Sequence, residues 1–432
     1  MNHFQYRDGV LHAEDVPLPV IAAAVGTPFY VYSTATLERH YRIFTDPFKG
    51  IDHLLAYAMK ANSNQAVLAT LARMGSGADI VSGGELVRAL AAGVPPSRIM
   101  FSGVGKRADE MDAALHADIA CFNVESEPEL ERLSARATAA GREARVSFRI
   151  NPDVDAGTHW KISTGKAENK FGIAQADAVA IYDRARELPG IRVVGIDMHI
   201  GSQITDLKPF DAAFGRLHDL IGTLRQAGHA IDHVDLGGGL GIPYGNAEAP
   251  PNPAAYADIV IPHVADLDAT IVFEPGRLIV GNAGIFVTGV EYVKTARRDG
   301  SGKTFVIVDG AMNDLIRPTL YDAFHAMRPV REPGAEASIT ADIVGPVCET
   351  GDYLALDREM PPVGEGDLLA FSSAGAYGAV QAGTYNSRPL VPEVLVDGDR
   401  YAVIRPRGTI EDMVALDRMP EWLDVPVMQA AE

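Results

Sequence analysis

The chain has 432 residues, enough for two or three domains and a large buried core. With 47% hydrophobic and 22% charged residues it has an ordinary globular composition, and a formal net charge of −19 with no basic stripe speaks against a nucleic-acid surface. Only Cys121 and Cys348 occur, no signal-peptide pattern opens the chain and no apolar run nears the ~20 residues of a membrane span, so a reducing cytoplasm is the expected setting.

Residues 1–27 are expected to contribute to a β domain. The early "TPFYVYS" is strand-like and can pair with the C-terminal part of the chain, which would make that domain discontinuous. From about residue 50 to 275 short apolar runs alternate with helical patterns. The runs are "HLLAYAMK", "GADIVS", "RIMFSG", "IACFNV", "RVSFRI", "VGIDMHIG", "HVDLGGG" and "TIVFEPG". Between them, segments such as "NQAVLATLARM" and "GGELVRALAAG" repeat apolar residues at three- and four-residue spacing. Strands alternating with helices imply a parallel sheet, and eight of them favour a (β/α)₈ barrel over an open doubly wound sheet. The barrel is assigned to 28–282. Beyond 283, segments such as "GIFVTGVEYVKTAR", "KTFVIVDG" and "PEVLVDGDRYAVIRPR" predict a mostly antiparallel β domain reaching 432. No internal repeat or low-complexity tract is present.

In such a barrel the active site lies at the C-terminal ends of the strands, and several of the eight runs stop on polar residues there, among them Lys60, Ser102, Asn123, Arg149, His199 and Glu274. Lys60 ends an apolar strand. It reads either as a snorkelling surface lysine or as an amine whose pKa desolvation lowers from about 10.4, ready to bond a carbonyl. "DLGGGLG" follows a strand and offers backbone N–H groups for a phosphate, or simply a tight turn; Ile242 stands where a dinucleotide fingerprint needs its third glycine. "HIGSQ" places His199 at a strand end with Ser202 beyond it. Asp197 with His199, and His233 with Asp235, keep a metal-dependent hydrolase in view, although no H-E-x-x-H or tight ligand cluster supports it. In "FEPGR", Glu274 and Arg277 are either a local ion pair or a carboxylate for a cationic ring nitrogen with a guanidinium for an anion. "VGPVCETGD" holds Cys348 and Glu349 in a Gly/Pro-framed loop, where a reactive thiol and a buried small hydrophobe are both open readings.

The ordered set "YAMKANSN", "DIVSGGEL", "MFSGVGK", "FRINPDVDAGTHWKISTGKAENKFGI", "MHIGSQ", "DLGGGLGIPY", "EPGRLIVGNAG", "MNDLIRPTLYDAFH", "VGPVCETGD" and "AGAYG" resembles the fold-type III decarboxylases that use pyridoxal phosphate, and among them the diaminopimelate decarboxylase family. It runs from about residue 28 to 395. The resemblance implies a barrel plus a β domain, with Lys60 carrying pyridoxal 5'-phosphate as a Schiff base and His199 stacked on its ring. It implies phosphate contacts from Ser202, Gly237, Gly238, Gly239, Pro275, Gly276 and Arg277, with Glu274 at the ring nitrogen and Tyr377 touching cofactor and substrate. Arg277, Arg317, Tyr321, Glu349 and Tyr377 match the family's substrate-binding positions, and Cys348 its proton donor. The implied reaction releases CO2 from meso-diaminopimelate to give L-lysine, in a homodimer whose "VGPVCETGD" loops enter the partner's site. Two guanidiniums and a carboxylate suit the substrate's distal zwitterion better than they suit ornithine, arginine or carboxynorspermidine. Alanine racemase, a non-catalytic pyridoxal-phosphate carrier and the metal hydrolase are the other readings. Trp160 in "THWKIS", where the family often has proline, is a departure that touches no named site residue.

Overall fold

The computed structural model describes residues 2–155, 170–245, 250–297, 302–334 and 337–423; Trp160 lies outside them. Eight parallel strands close into a barrel: β1 His53–Ala58, β2 Gly77–Ile80, β3 Ile99–Phe101, β4 Cys121–Val124, β5 Ala144–Asn151, β6 Ile191–Asp197, β7 His233–Asp235 and β8 Thr270–Phe273. Each is one of the eight apolar runs. β8 pairs with β1 through Phe273 and Leu55, which closes the cylinder. Helices between strands pack outside and are started by local side-chain caps. Asn64 Oδ1 accepts from Ala66 N to begin Gln65–Arg73, and Ser82 Oγ accepts from Glu85 N to begin Gly83–Ala91. The polar "ANSN" that follows Lys60 is therefore a helix start.

Inside the barrel, Ala56, Met100, Cys121, Val194 and Val272 form a small buried apolar cluster. Strand alternation puts the residue two positions later on the same face. Above Ala56, Met100, Cys121 and Val272 this gives Ala58, Ser102, Asn123 and Glu274, so an apolar plug carries a polar layer at the C-terminal end of the strands. Burial pushes the Cys121 thiol up to about 12, which leaves it an inert small hydrophobe.

The second sheet centres on the long strand Gly284–Thr295, whose first half pairs with Phe29–Ser33 and Leu368–Phe371 and whose second half pairs with Thr304–Val308. Phe29–Ser33 also pairs in parallel with Glu393–Asp397. The strand just past the boundary read at 28 thus belongs with this sheet, and the chain crosses to the barrel only at the helix Thr34–Thr45. All five residues of that strand are buried: Tyr30 and Tyr32 join the core that includes the barrel residues, and Phe29 and Val31 pack with the N-terminal segment. Residues 4–17 make a three-stranded antiparallel sheet, and Phe4, Leu11, Val16, Leu18 and Ile21 pack with Phe29, Ile285, Val287 and Val394 on one side of the second sheet.

On the face of β8 opposite Val272, Phe273 is fully buried, with ring centroids 4.4 Å from Phe48, 5.4 Å from Phe44 and 6.3 Å from Tyr256. Phe273→Ala is expected to cost about 3–5 kcal/mol in equilibrium unfolding, read by urea denaturation, because no neighbour can refill the void.

Candidate functional site

One cavity of about 370 Å³ opens at the C-terminal end of the strands, where the barrel meets the second sheet. Lys60, His199, Ser202, Gly239, Glu274, Pro275, Gly276, Arg277, Arg317, Tyr321 and Tyr377 line it, together with Gln203, Tyr244, Ala323 and Phe324. The cavity thus gathers eleven residues singled out in the sequence. Gly237 and Gly238 stand behind the wall, and Cys348 and Glu349 are exposed on the loop of the second sheet and do not line it.

Lys60 sits in a short 3-10 turn just past β1, and its Nζ lies 2.6 Å from Asp79 Oδ2 on β2. Asp79 is fully buried, whereas 36% of the lysine side chain is open, toward the cavity. Burial alone would lower the amine's pKa, as the sequence reading expects. The charges of Asp79, Glu274 and Tyr377 outweigh it and raise Lys60 above its ordinary value, so the nitrogen is an ammonium until a proton leaves. Asp79 was missed in the sequence; its signal is an acid inside an otherwise apolar strand, "GADI".

Around the polar layer, Ser147 Oγ donates to Asn123 Oδ1, which turns the Asn123 amide toward Ser102 Oγ at 3.1 Å and Glu274 Oε1 at 3.4 Å. Ser102 Oγ donates to Glu274 Oε1 at 3.3 Å. Asp197, Asp235 and Glu274 present carboxyl oxygens within 4.8 Å of one another, all buried. Burial and then their mutual repulsion raise the pKa of Asp197 and Glu274, and burial holds Asp235 at about 6. His199 Nδ1 accepts from Gly238 N at 3.2 Å; burial, then Arg149 and Lys60, hold the imidazole neutral.

The glycine run has a packing reason. A Cβ on Gly238 would lie 2.2 Å from Glu274 O, and one on Gly237, at φ +65°, would lie 2.4 Å from Met198 O. Among the described residues the N–H groups of Gly239 and Gly276 have no protein acceptor, and both line the cavity beside Ser202. Unpaired amides converging with a hydroxyl fit a phosphate. Tyr377 holds a left-handed backbone at φ +56°, fixed by its N–H donating to Ala61 O at 2.8 Å; for a bulky residue this is a strained geometry of the kind kept at functional sites.

Arg277 and Arg317 are both buried, yet among the described residues neither pairs with a carboxylate. Aromatic faces and hydroxyls hold them. Arg277 lies 4.8 Å from the Tyr377 ring and donates to Tyr244 Oη at 2.6 Å and Ser202 Oγ at 3.0 Å. Arg317 lies 4.9 Å from the Tyr244 ring and 6.0 Å from that of Tyr321, and its Nε donates to His325 Nε2 at 3.3 Å. Two uncompensated guanidiniums facing a cavity select an anionic ligand. Tyr244 and His325 end the stretches "DLGGGLGIPY" and "MNDLIRPTLYDAFH", yet the sequence reading gave them no role, because only contacts across the chain show each supporting an arginine.

The family described as "Pyridoxal-dependent decarboxylase, pyridoxal binding domain" matches residues 34–281. The chain is 49% identical over 424 residues to a diaminopimelate decarboxylase of Zymomonas mobilis, covering 97% of this chain and 99% of that one. It is 52% identical over 415 residues to that of Pseudomonas aeruginosa, covering 96% and 98%. Among solved structures, a diaminopimelate decarboxylase of M. jannaschii in co-complex with L-lysine superposes with a TM-score of 0.92 at 35% identity, covering 98% of this chain and 100% of that one. That of Helicobacter pylori complexed with L-lysine gives 0.88 at 41%, covering 92% and 98%. The fold and the site define a pyridoxal-phosphate-dependent decarboxylase of fold-type III. Matches near half identity over nearly the whole chain place it more narrowly: it belongs to the diaminopimelate decarboxylase family.

The His325 support has a pH signature. Burial, then Arg317, push its imidazole down to about 3. The unfolded chain binds this proton near pH ~6.5 and the folded one near 3, so the contribution to stability is complete above ~6.5 and is lost as pH falls, at about 1.4 kcal/mol per pH unit. His325→Gln is expected to flatten the dependence of unfolding free energy on pH across that window.

Proposed function

We propose that Lys60 carries pyridoxal 5'-phosphate through its Nζ and that the cavity residues around it divide cofactor and substrate between them. The reaction is the decarboxylation of meso-2,6-diaminopimelate to L-lysine and CO2, the last step of lysine biosynthesis. The observation that carries the assignment of residues is the convergence on a single cavity of one amine and two buried guanidiniums that pair with no carboxylate among the described residues. When bound, pyridoxal phosphate supplies the electron sink for the carbanion left as CO2 departs.

Asp79 receives the charge of Lys60 and can take part in removing its proton, since the ammonium must lose one before the nitrogen can bond a carbonyl. Gly239, Gly276 and Ser202 would hold the phosphate, Gly237 and Gly238 would hold the loop in place, and Pro275 would shape its neighbour strand end. The neutral face of His199 would stack on the pyridine ring, and Glu274 would keep the ring nitrogen protonated. Arg277, Arg317, Tyr321 and Tyr377 would bind substrate. A distal carboxylate on Arg317 would favour diaminopimelate, which has one, over ornithine, which lacks it.

Cys348 and Glu349 would complete the site of a second copy of this chain, with Cys348 returning the proton to the substrate carbon and Glu349 binding the distal ammonium. Their exposure, away from the cavity of their own chain, supports a homodimer. Among the described residues no helix is long and apolar enough to cross a membrane. A reducing cytoplasm would keep this exposed thiol usable.

Adding the cofactor to the protein should give a visible absorbance band, and borohydride should then fix it covalently on the peptide containing Lys60; Lys60→Ala should show neither. Arg317→Ala should lower kcat/KM for diaminopimelate about tenfold to hundredfold, the worth of one charged hydrogen bond at ~1.5–3 kcal/mol, in a CO2-release assay. Mixing inactive Lys60→Ala and Cys348→Ala proteins should restore activity through heterodimers; no recovery after subunit exchange would refute the shared site.

A further inference from the structure

Asp235 and Asp197 have no part in the assignments above, yet they sit at the centre of the barrel directly behind Glu274. Three buried acids, Asp197, Asp235 and Glu274, have no ion-pair partner among the described residues, because the nearby cations are taken. Lys60 Nζ is on Asp79 at 2.6 Å, and Arg149 is on Glu125 at 3.3 Å. Asp235 Oδ1 accepts from Gly237 N at 2.9 Å, and Asp235 presents a carboxyl oxygen within 4.8 Å of one on Glu274. Asp197 Oδ1, also buried, has no hydrogen-bond partner among the described residues.

Carboxylates this close in a dry interior cannot all be ionised without a counter-charge. Either a cation or a proton must sit among them. Asn123 decides between these: Ser147 fixes its amide so that Nδ2 faces Asp235 Oδ2 at 3.5 Å and Glu274 Oε1 at 3.4 Å. An N–H donor aimed into the cluster repels a metal ion and complements a carboxylate.

We infer that Asp235 shares a proton with Glu274 as a carboxyl–carboxylate pair, and that this stored proton is the one Glu274 presents to the cofactor's ring nitrogen. The inference rests on the reading of Glu274 as the ring-nitrogen partner. On cofactor binding the Glu274 O–H bond breaks and a ring N–H bond forms, the new positive charge lies against two carboxylates, and no proton is drawn from solvent. Asp235 is a positioning residue: it touches neither substrate nor cofactor and acts through Glu274. Asp197, Asp79 and Lys60 are the titratable groups facing the pair, and the negative charge of Asp79 strengthens the pair's hold on its proton.

The test is infrared difference spectroscopy on the full-length protein, with and without pyridoxal phosphate, well above the carboxylate range of pH. The cofactor-free wild type should show the carbonyl stretch of a protonated carboxylic acid, sensitive to deuterium. Asp235→Asn keeps an acceptor for Gly237 N and should remove that band, as should Glu274→Gln, which covers a failure of either variant to fold. Adding the cofactor to the wild type should also remove it. A band that persists in both variants, its absence from the cofactor-free wild type, or a stoichiometric divalent ion found at the cluster by native mass spectrometry would overturn the inference. Visible absorbance reports cofactor binding separately, so a failure of the proposed function is distinguishable from a failure of the pair.

Discussion

A charge placed at the top of a dry barrel needs an answering charge, and the ion pair of Lys60 with Asp79 is the contact on which the site depends. The strand β1 can be apolar to its end because the lysine does not return to bulk solvent; it finds Asp79 on the next strand at 2.6 Å. That answer makes the free amine harder to deprotonate. Positioning and nucleophilicity therefore pull against each other, and the site favours position: the nitrogen is aimed into the cavity first, and becomes reactive only when a proton moves to a neighbour.

The same trade recurs on the opposite wall. Among the described residues Arg277 and Arg317 are buried without a carboxylate partner, which is costly unless something else receives the charge. Tyrosine faces, Tyr244 Oη and a neutral His325 do so in part. These partners orient a guanidinium without neutralising it, so the cavity stays electropositive on that wall and attracts the carboxylate of an amino acid by field as well as by contact.

Much of this was legible in the sequence. Eight apolar runs became eight barrel strands because a buried parallel strand is apolar on both faces, and the polar residue that ends each run lies where the barrel opens. Lys60, His199, Glu274 and Arg277 were visible for that reason. What escaped notice depends on contacts across the chain. Asp79 is an acid within a four-residue strand. Tyr244 and His325 stand in loops, and only their packing on arginines gives them meaning. Phe29–Ser33 reads as a strand in any setting; its place in the second sheet is decided by pairing with residues more than two hundred positions away. Cys348 was singled out by its loop, and it stands exposed, away from the cavity of its own chain.

The bond from Tyr377 N–H to Ala61 O joins the segment carrying Lys60 to a turn of the second sheet, and it is reinforced by Asn62 Nδ2 donating to Gly375 O at 3.1 Å and Asn64 Nδ2 donating to Glu393 Oε1 at 2.9 Å. Both walls of the cavity are thus stitched along one seam, just past the lysine. Loosening that seam would separate the amine from Tyr377 while the barrel itself stayed intact. Turnover should then be a more sensitive gauge of how the two sheets are docked than any measure of secondary structure, and heating or mild denaturant would silence the enzyme before the barrel melts.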